Sequence, residues 1–240
     1  MNPSIEQRYV NQTQILSLTN GLLYYGEDLI LQRTVMLYNT APIKGVPGEE
    51  YIRRLQKASS LIHDGFQHIL DTSFEDHSIQ IVLQRRLGKP LILELESQLW
   101  TFSSVISVVA DLGVAMLEVM EERLATYSIG IENLWLNEEG KLSVINHWEE
   151  GNPQTRGASG LCTLLIQLFA GSDKSLGAEE ALDTYLNTFL SRLNPHQASK
   201  EQKDLLIQLV RRVNQGNASL SSLIYGLQGM RLRTNLSKQK

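Results

Sequence analysis

Polar and apolar positions change rhythm along the chain. Over the first third they run in short stretches closed by turn residues, the signature of strands. Residues 9–18 (YVNQTQILSL) predict a strand carrying Ile15 and Leu16. Asn20-Gly21 follows, and because both residues tolerate positive φ they predict a hairpin, with residues 21–30 (GLLYYGEDLI) as the return strand. Residues 33–39 (RTVMLYN), apolar and rich in β-formers, predict a third strand. Pro42, Gly45, Pro47 and Gly48 make a loop. Residues 49–62 then turn to helical spacing, with Glu49 and Glu50 in the first turn, where the helix dipole favours acids, and Tyr51, Leu55, Ala58 and Leu61 or Ile62 near one face. Residues 67–74 and 78–84 predict two more strands around a turn at Glu75-Asp76-His77. The expected product is an α+β unit on a five-stranded antiparallel sheet with one helix.

Gly88-Lys89-Pro90 marks a boundary, and the pattern beyond it is mainly helical. Val105, Val108, Leu112, Ala115 or Met116, and Val119 form an i, i+3, i+4 stripe. A polar loop, residues 126–133, leads into a hairpin, LWLNEEGKLSVI. Residues 151–157 form a polar loop, and residues 161–170 are apolar on nearly every side, which predicts a buried helix. Residues 178–193, 199–213 and 219–227 predict amphipathic helices, the last two with Ser199 and Ser219 as N-caps. The expected division is residues 1–86, residues 87–229, and a flexible basic tail at 230–240.

Composition narrows the function classes. The 240 residues are 42% hydrophobic, enough for a sizeable core, and the net charge of −4 argues against a general nucleic-acid binder. A lone cysteine, Cys162, sits in an apolar run, which predicts a core residue and a reducing, cytoplasmic setting. The first residues, MNPSIEQRYV, have no apolar signal core, and no apolar run is long enough to span a bilayer. His63, His68 and His77 lack metal-ligand spacing. His147 and Ser128 could meet as a base and a nucleophile, but no third group is in place to orient the histidine. Trp100 and Trp135 read as packing residues.

The order of elements, with several phrases inside it, resembles the protein kinase fold, nearest to bacterial serine/threonine kinases of the eukaryotic type. The phrases are Leu23-Tyr24-Tyr25-Gly26-Glu27-Asp28 for the second strand, residues 33–38 (RTVMLY) for the third, residues 51–63 (YIRRLQKASSLIH) for the helix, Val82-Leu83-Gln84 for the hinge approach and Gly88-Lys89-Pro90-Leu91 for the start of the large lobe. The resemblance covers residues 8–227 and implies a bilobal kinase-like fold, a five-stranded N-lobe with one helix and a mainly helical C-lobe.

It also implies that the chemistry is gone. Phosphotransfer depends on positioned charges and metal ions. In this register the strand Lys is Tyr38, the helix Glu is Arg54, the catalytic Asp is Ser128 and the metal-binding Asp is Asn146. Thr19-Asn20-Gly21 is a plain turn where the family has a glycine-rich loop. Asn133 matches the family's second metal ligand; read without the family, it is a side chain that caps loop backbone. Trp148 stands where the family has Gly, Met36 where it has a small Ala, and about ten residues, 149–158, replace the activation segment. The Asp that opens the family's next helix falls at Gly157.

The implied function is a catalytically inactive pseudokinase, a cytoplasmic scaffold or allosteric regulatory partner in bacterial signalling. It is expected to use no cofactor or metal and to meet a protein partner. The alternative is a divergent nucleotide-binding kinase or phosphotransferase with residual activity. Arg231, Arg233, Lys238 and Lys240 give the tail a weak means of approaching anionic lipid.

Overall fold

The computed structural model describes residues 8–42, 48–75, 78–97, 100–120, 126–172 and 182–237. Strands β1 (Tyr9–Ser17), β2 (Gly21–Asp28), β3 (Arg33–Thr40), β4 (Ile69–Glu75) and β5 (Ser78–Gln84) form one antiparallel sheet in the order β1-β2-β3-β5-β4. Helix α1 (Gly48–Ser59) lies between β3 and β4 in sequence. The chain is thus an α+β protein, as its sequence pattern predicted. Alternation sets the two faces of the sheet. Leu23, Met36, Tyr38, Ile81 and Leu83 pack with Tyr51, Leu55 and Ala58 of α1. Val35, Leu37 and Val82 face the other way, with Tyr9.

Strand β2 ends at Asp28 rather than residue 30, the helix expected over 178–193 ends at Leu190 with its residues 178–181 outside the described residues, and two further boundaries differ from expectation. Helix α1 stops at Ser59 and leaves Ile62 82% exposed. The Ser59 and Ser60 hydroxyls donate to the carbonyls of Gln56 and Lys57, and Ser60 N–H also bonds to Lys57 O, tightening the last turn. Strand β4 starts at Ile69 because the residues before it pair elsewhere. Gln67 N–H donates to Val144 O at 2.8 Å, and Val144 N–H to Gly65 O at 2.9 Å. This short parallel contact stitches the sheet to the second half of the chain.

That second half begins with β6 (Lys89–Pro90), which joins β7 (Leu134–Leu136) and β8 (Leu142–Val144) in a small antiparallel sheet. Gly88 precedes it at φ 110°, with Leu136 O so close that a Cβ would clash, so the boundary needs glycine. The β7–β8 loop is organised by Asn137, whose side-chain oxygen accepts Glu139 and Lys141 N–H.

The helices are α2 (Leu91–Glu94), α3 (Phe102–Glu118), α4 (Gly157–Ala170), α5 (Leu182–Leu190), α6 (Lys200–Asn214) and α7 (Leu220–Ser237). Helix α3 is capped by Thr101 and Ser104 in reciprocal hydrogen bonds, and its buried face includes the predicted stripe. Helix α4 buries Leu161, Cys162, Leu164, Leu165, Ile166 and Leu168, as its unbroken apolar run predicts. Ser199 and Ser219 cap α6 and α7 as expected, accepting Gln202 and Ser222 N–H. Helix α7 continues into the segment expected to be a flexible tail, whose residues 238–240 lie outside the described residues. It is helical to Ser237, Met230 is 1% exposed, and Arg231 pairs with Asp111 of α3 at 2.5 Å. Among the described residues, no helix is long and apolar enough to cross a membrane.

Candidate functional site

The residues singled out in the sequence meet where the sheet, α1 and the β7–β8 hairpin converge, with one exception. Asn133 ends a 3-10 turn, Ile131–Asn133, that delivers the chain into β7. Its amide donates to Ser128 O (2.7 Å) and Asn146 O (2.8 Å), and its side-chain oxygen accepts Asn146 N–H (2.8 Å). Both amide hydrogens are committed, so Asn133 ties two loops together. Asn146 turns its own side-chain oxygen to Glu149 N–H at 3.1 Å.

Ser128 is equally engaged. Its hydroxyl lies 2.9 Å from Thr155 Oγ1 and accepts Gly130 N–H at 3.0 Å. Residues 149–156 lie directly on this loop. Gly151 N–H donates to Thr126 O and Ile129 N–H to Thr155 O, while Arg156 bridges Thr126 Oγ1 and Glu150 Oε1. A Cβ at Gly151 would run into Ser128, so the two segments touch backbone to backbone. His147 is not Ser128's partner. Its ring is fully buried against Phe66 and Trp148, with Nε2 3.5 Å from Ala58 O and Nδ1 unpaired. Burial lowers its pKa to about 4. It is a neutral packing residue at ordinary pH.

The centre of the site is Glu149, a residue that sequence reasoning did not single out. Its carboxylate is buried, 6% exposed, and three elements of the sheet half point donors at it. Tyr51 Oη of α1 donates to Oε1 at 2.8 Å, Tyr38 Oη of β3 lies 3.2 Å from both oxygens, and Asn20 Nδ2 of the β1–β2 turn donates to Oε2 at 3.0 Å. Burial, then the neighbouring carboxylate, raise both phenol pKa values well above the ordinary range. The hydroxyls therefore stay protonated and act as donors. Trp148 closes the knot from the side, edge-on to Tyr38 at 5.7 Å between ring centroids. Met36 fills the sheet side and is fully buried.

Arg54 is the exception. It pairs with Glu50 one turn back on α1, at 2.5 Å, and has no part in the knot. Tyr51, one turn earlier on the helix, is the residue that reaches the knot. The buried stripe of Tyr51, Leu55 and Ala58 carried that information. Glu149 and Asn20 lie in loops, where no periodicity marks a buried contact.

Little space remains. The free volume is about 30 Å³, bounded by Thr19, Ser128, Glu132, Asn146, Glu149 and Glu150. That holds a few waters at most, against several hundred Å³ for a typical ligand pocket. The carboxylates at its rim disfavour an anion. Among the described residues no group of three His, Cys, Asp or Glu could hold a metal ion.

No protein-family model matches the chain. A comparison with curated proteins likewise finds no match.

Proposed function

We propose that this chain is a pseudokinase: a bilobal, kinase-like protein without phosphotransfer activity, acting as a cytoplasmic scaffold or allosteric partner for another protein in bacterial signalling. The order of elements supports the reading. Five antiparallel strands enclose one helix in sequence between the third and fourth, and a mainly helical half follows, with the β7–β8 hairpin opening on Asn133. The observation that carries it is the knot at Glu149. Tyr38 stands where a kinase holds its phosphate-binding Lys, and it is tied with Tyr51 to a carboxylate. Phosphoryl transfer needs cations there. Two neutral phenols on a buried anion supply the opposite electrostatics, and Trp148 and Met36 fill the volume a base would need.

Residues 149–156, packed on the 126–129 loop, leave a peptide substrate no platform. Function then rests on outer surfaces. The test is a thermal melt with ATP and ADP, with and without Mg²⁺ or Mn²⁺, beside radiolabelled phosphate transfer. The expected result is no shift and background transfer, also for Ser128→Asp. A ligand at a hundred times its Kd would stabilise the fold by about 2.7 kcal/mol. An ATP-dependent shift lost on changing Asn133 or Asn146 would instead establish the divergent nucleotide-binding reading. Co-purification from the native cell would name the partner.

A further inference from the structure

The β2–β3 turn sets Leu29, Ile30 and Leu31 in succession at the end of a hairpin, 48%, 55% and 53% exposed. Single exposed aliphatics are ordinary, whereas three on one tip form a patch. The backbone beneath them is fixed. Asp28 Oδ1 accepts the N–H groups of Ile30 and Leu31 at 3.2 Å each, and Leu29 N–H donates to Arg8 O at 2.8 Å. Asp28 is itself fully buried and gripped by Arg8 through two hydrogen bonds, 3.0 and 2.9 Å. Three consecutive amides that a turn usually gives to water are satisfied inside the protein. The donor share of the penalty for taking such a tip out of water is thereby removed.

The charges behind the tip are arranged unevenly. Arg8 is matched by Asp28 and, at 3.6 Å, by Asp71. Arg33 is 44% exposed, and among the described residues its only partner is Asp28, reached through Nε at 3.5 Å. Among the described residues its terminal nitrogens meet no acceptor, and they sit behind the apolar tip with the exposed Gln32 between. The complementary surface is apolar at depth and phosphate-bearing at its edge. From this we infer that the β2–β3 tip inserts into the interface of a phospholipid bilayer, with Leu29, Ile30 and Leu31 at the acyl boundary and Arg33 donating to lipid phosphates. An apolar pocket on a protein would accommodate the aliphatics but gives no role to a guanidinium placed just behind them. The inference is independent of the pseudokinase reading.

The test is flotation of the full chain with vesicles of phosphatidylcholine, alone and with phosphatidylserine added. The wild-type chain should float with the vesicles, more strongly when phosphatidylserine is present. Ile30→Glu should lower the bound fraction at least about tenfold with an unchanged melting temperature, since the side chain lies outside the core. Arg33→Gln should weaken binding less, and most on the anionic vesicles. Tryptophan fluorescence of Ile30→Trp should shift to the blue and be quenched by brominated lipid. Absence of flotation, flotation undiminished by Ile30→Glu, or an Ile30→Cys photo-crosslink that captures protein and no lipid would overturn the inference.

Discussion

The core of the helical half and the knot at Glu149 are both buried, and different physics holds each. Around α4, Leu161, Leu164, Leu165 and Ile166 are fully buried among α3, α5, α6 and α7, and contact is non-directional. Such a core tolerates any shape that fills it. The knot depends on direction. One carboxylate collects Asn20, Tyr38 and Tyr51, and each donor loses its value if the sheet shifts by an ångström. The apolar core makes the protein stable, and the knot decides which relative placement of sheet and helices is the stable one.

The comparison breaks most directly in the core. Leu165→Ala should destabilise by about 2–5 kcal/mol in denaturant melts. A loss below about 1 kcal/mol would show that α4 is not the centre of the apolar half. Next is the pH response of His147, which sits beside the knot. Its folded pKa of about 4 lies below the ordinary 6.5, so the unfolded chain binds the proton first. Its contribution is complete above pH 6.5 and is lost as the pH falls towards 4, about 3 kcal/mol in all. Asp28, held at about 2 by Arg8 against an ordinary 3.8, loses its contribution only at lower pH, so the two windows separate. His147→Phe should flatten the upper window, and an unchanged pH profile would remove His147 as its source.

The knot itself should respond to single hydroxyls. Tyr51→Phe and Tyr38→Phe each remove a donor to a buried charge and should cost about 1.5–3 kcal/mol. Because they share Glu149, the double variant should depart from the sum of the two. Strict additivity would mean the donors act separately and the directional half of the comparison fails. The smallest effect should come from Arg231→Ala. Its pair with Asp111 is near half-exposed on both sides, and its loss should cost under about 1 kcal/mol in the same melts. A larger loss would mean that this pair, rather than buried Met230, anchors the end of α7.

Much of the fold was legible because each element declared its own phase. Short β-prone runs closed by turn residues gave the five strands, the 3.6-residue stripe gave α3, and an unbroken apolar run gave α4. Ser199 announced a helix start, and the structure builds it as a reciprocal cap with Gln202. The errors arose where one local signal was set above another. Matching a family phrase drew attention to Arg54, whereas the apolar stripe of the same helix pointed Tyr51 inward. The charged residues at 231 and 233 suggested a flexible tail, and the structure describes that segment as helix as far as Ser237.

The sequence by itself determined which elements form, which face of each is apolar, and that no Lys, Glu or Asp stands at positions 38, 54, 128 and 146. Only the tertiary structure decided what fills the space between the halves. Glu149 meets Tyr51, Tyr38 and Asn20 across 98, 111 and 129 residues of chain. The physical reason is one of range. Apolar periodicity is a property of neighbours in sequence, whereas a hydrogen bond between loop and sheet exists only after every intervening element has packed and brought donor and acceptor within 3 Å or so.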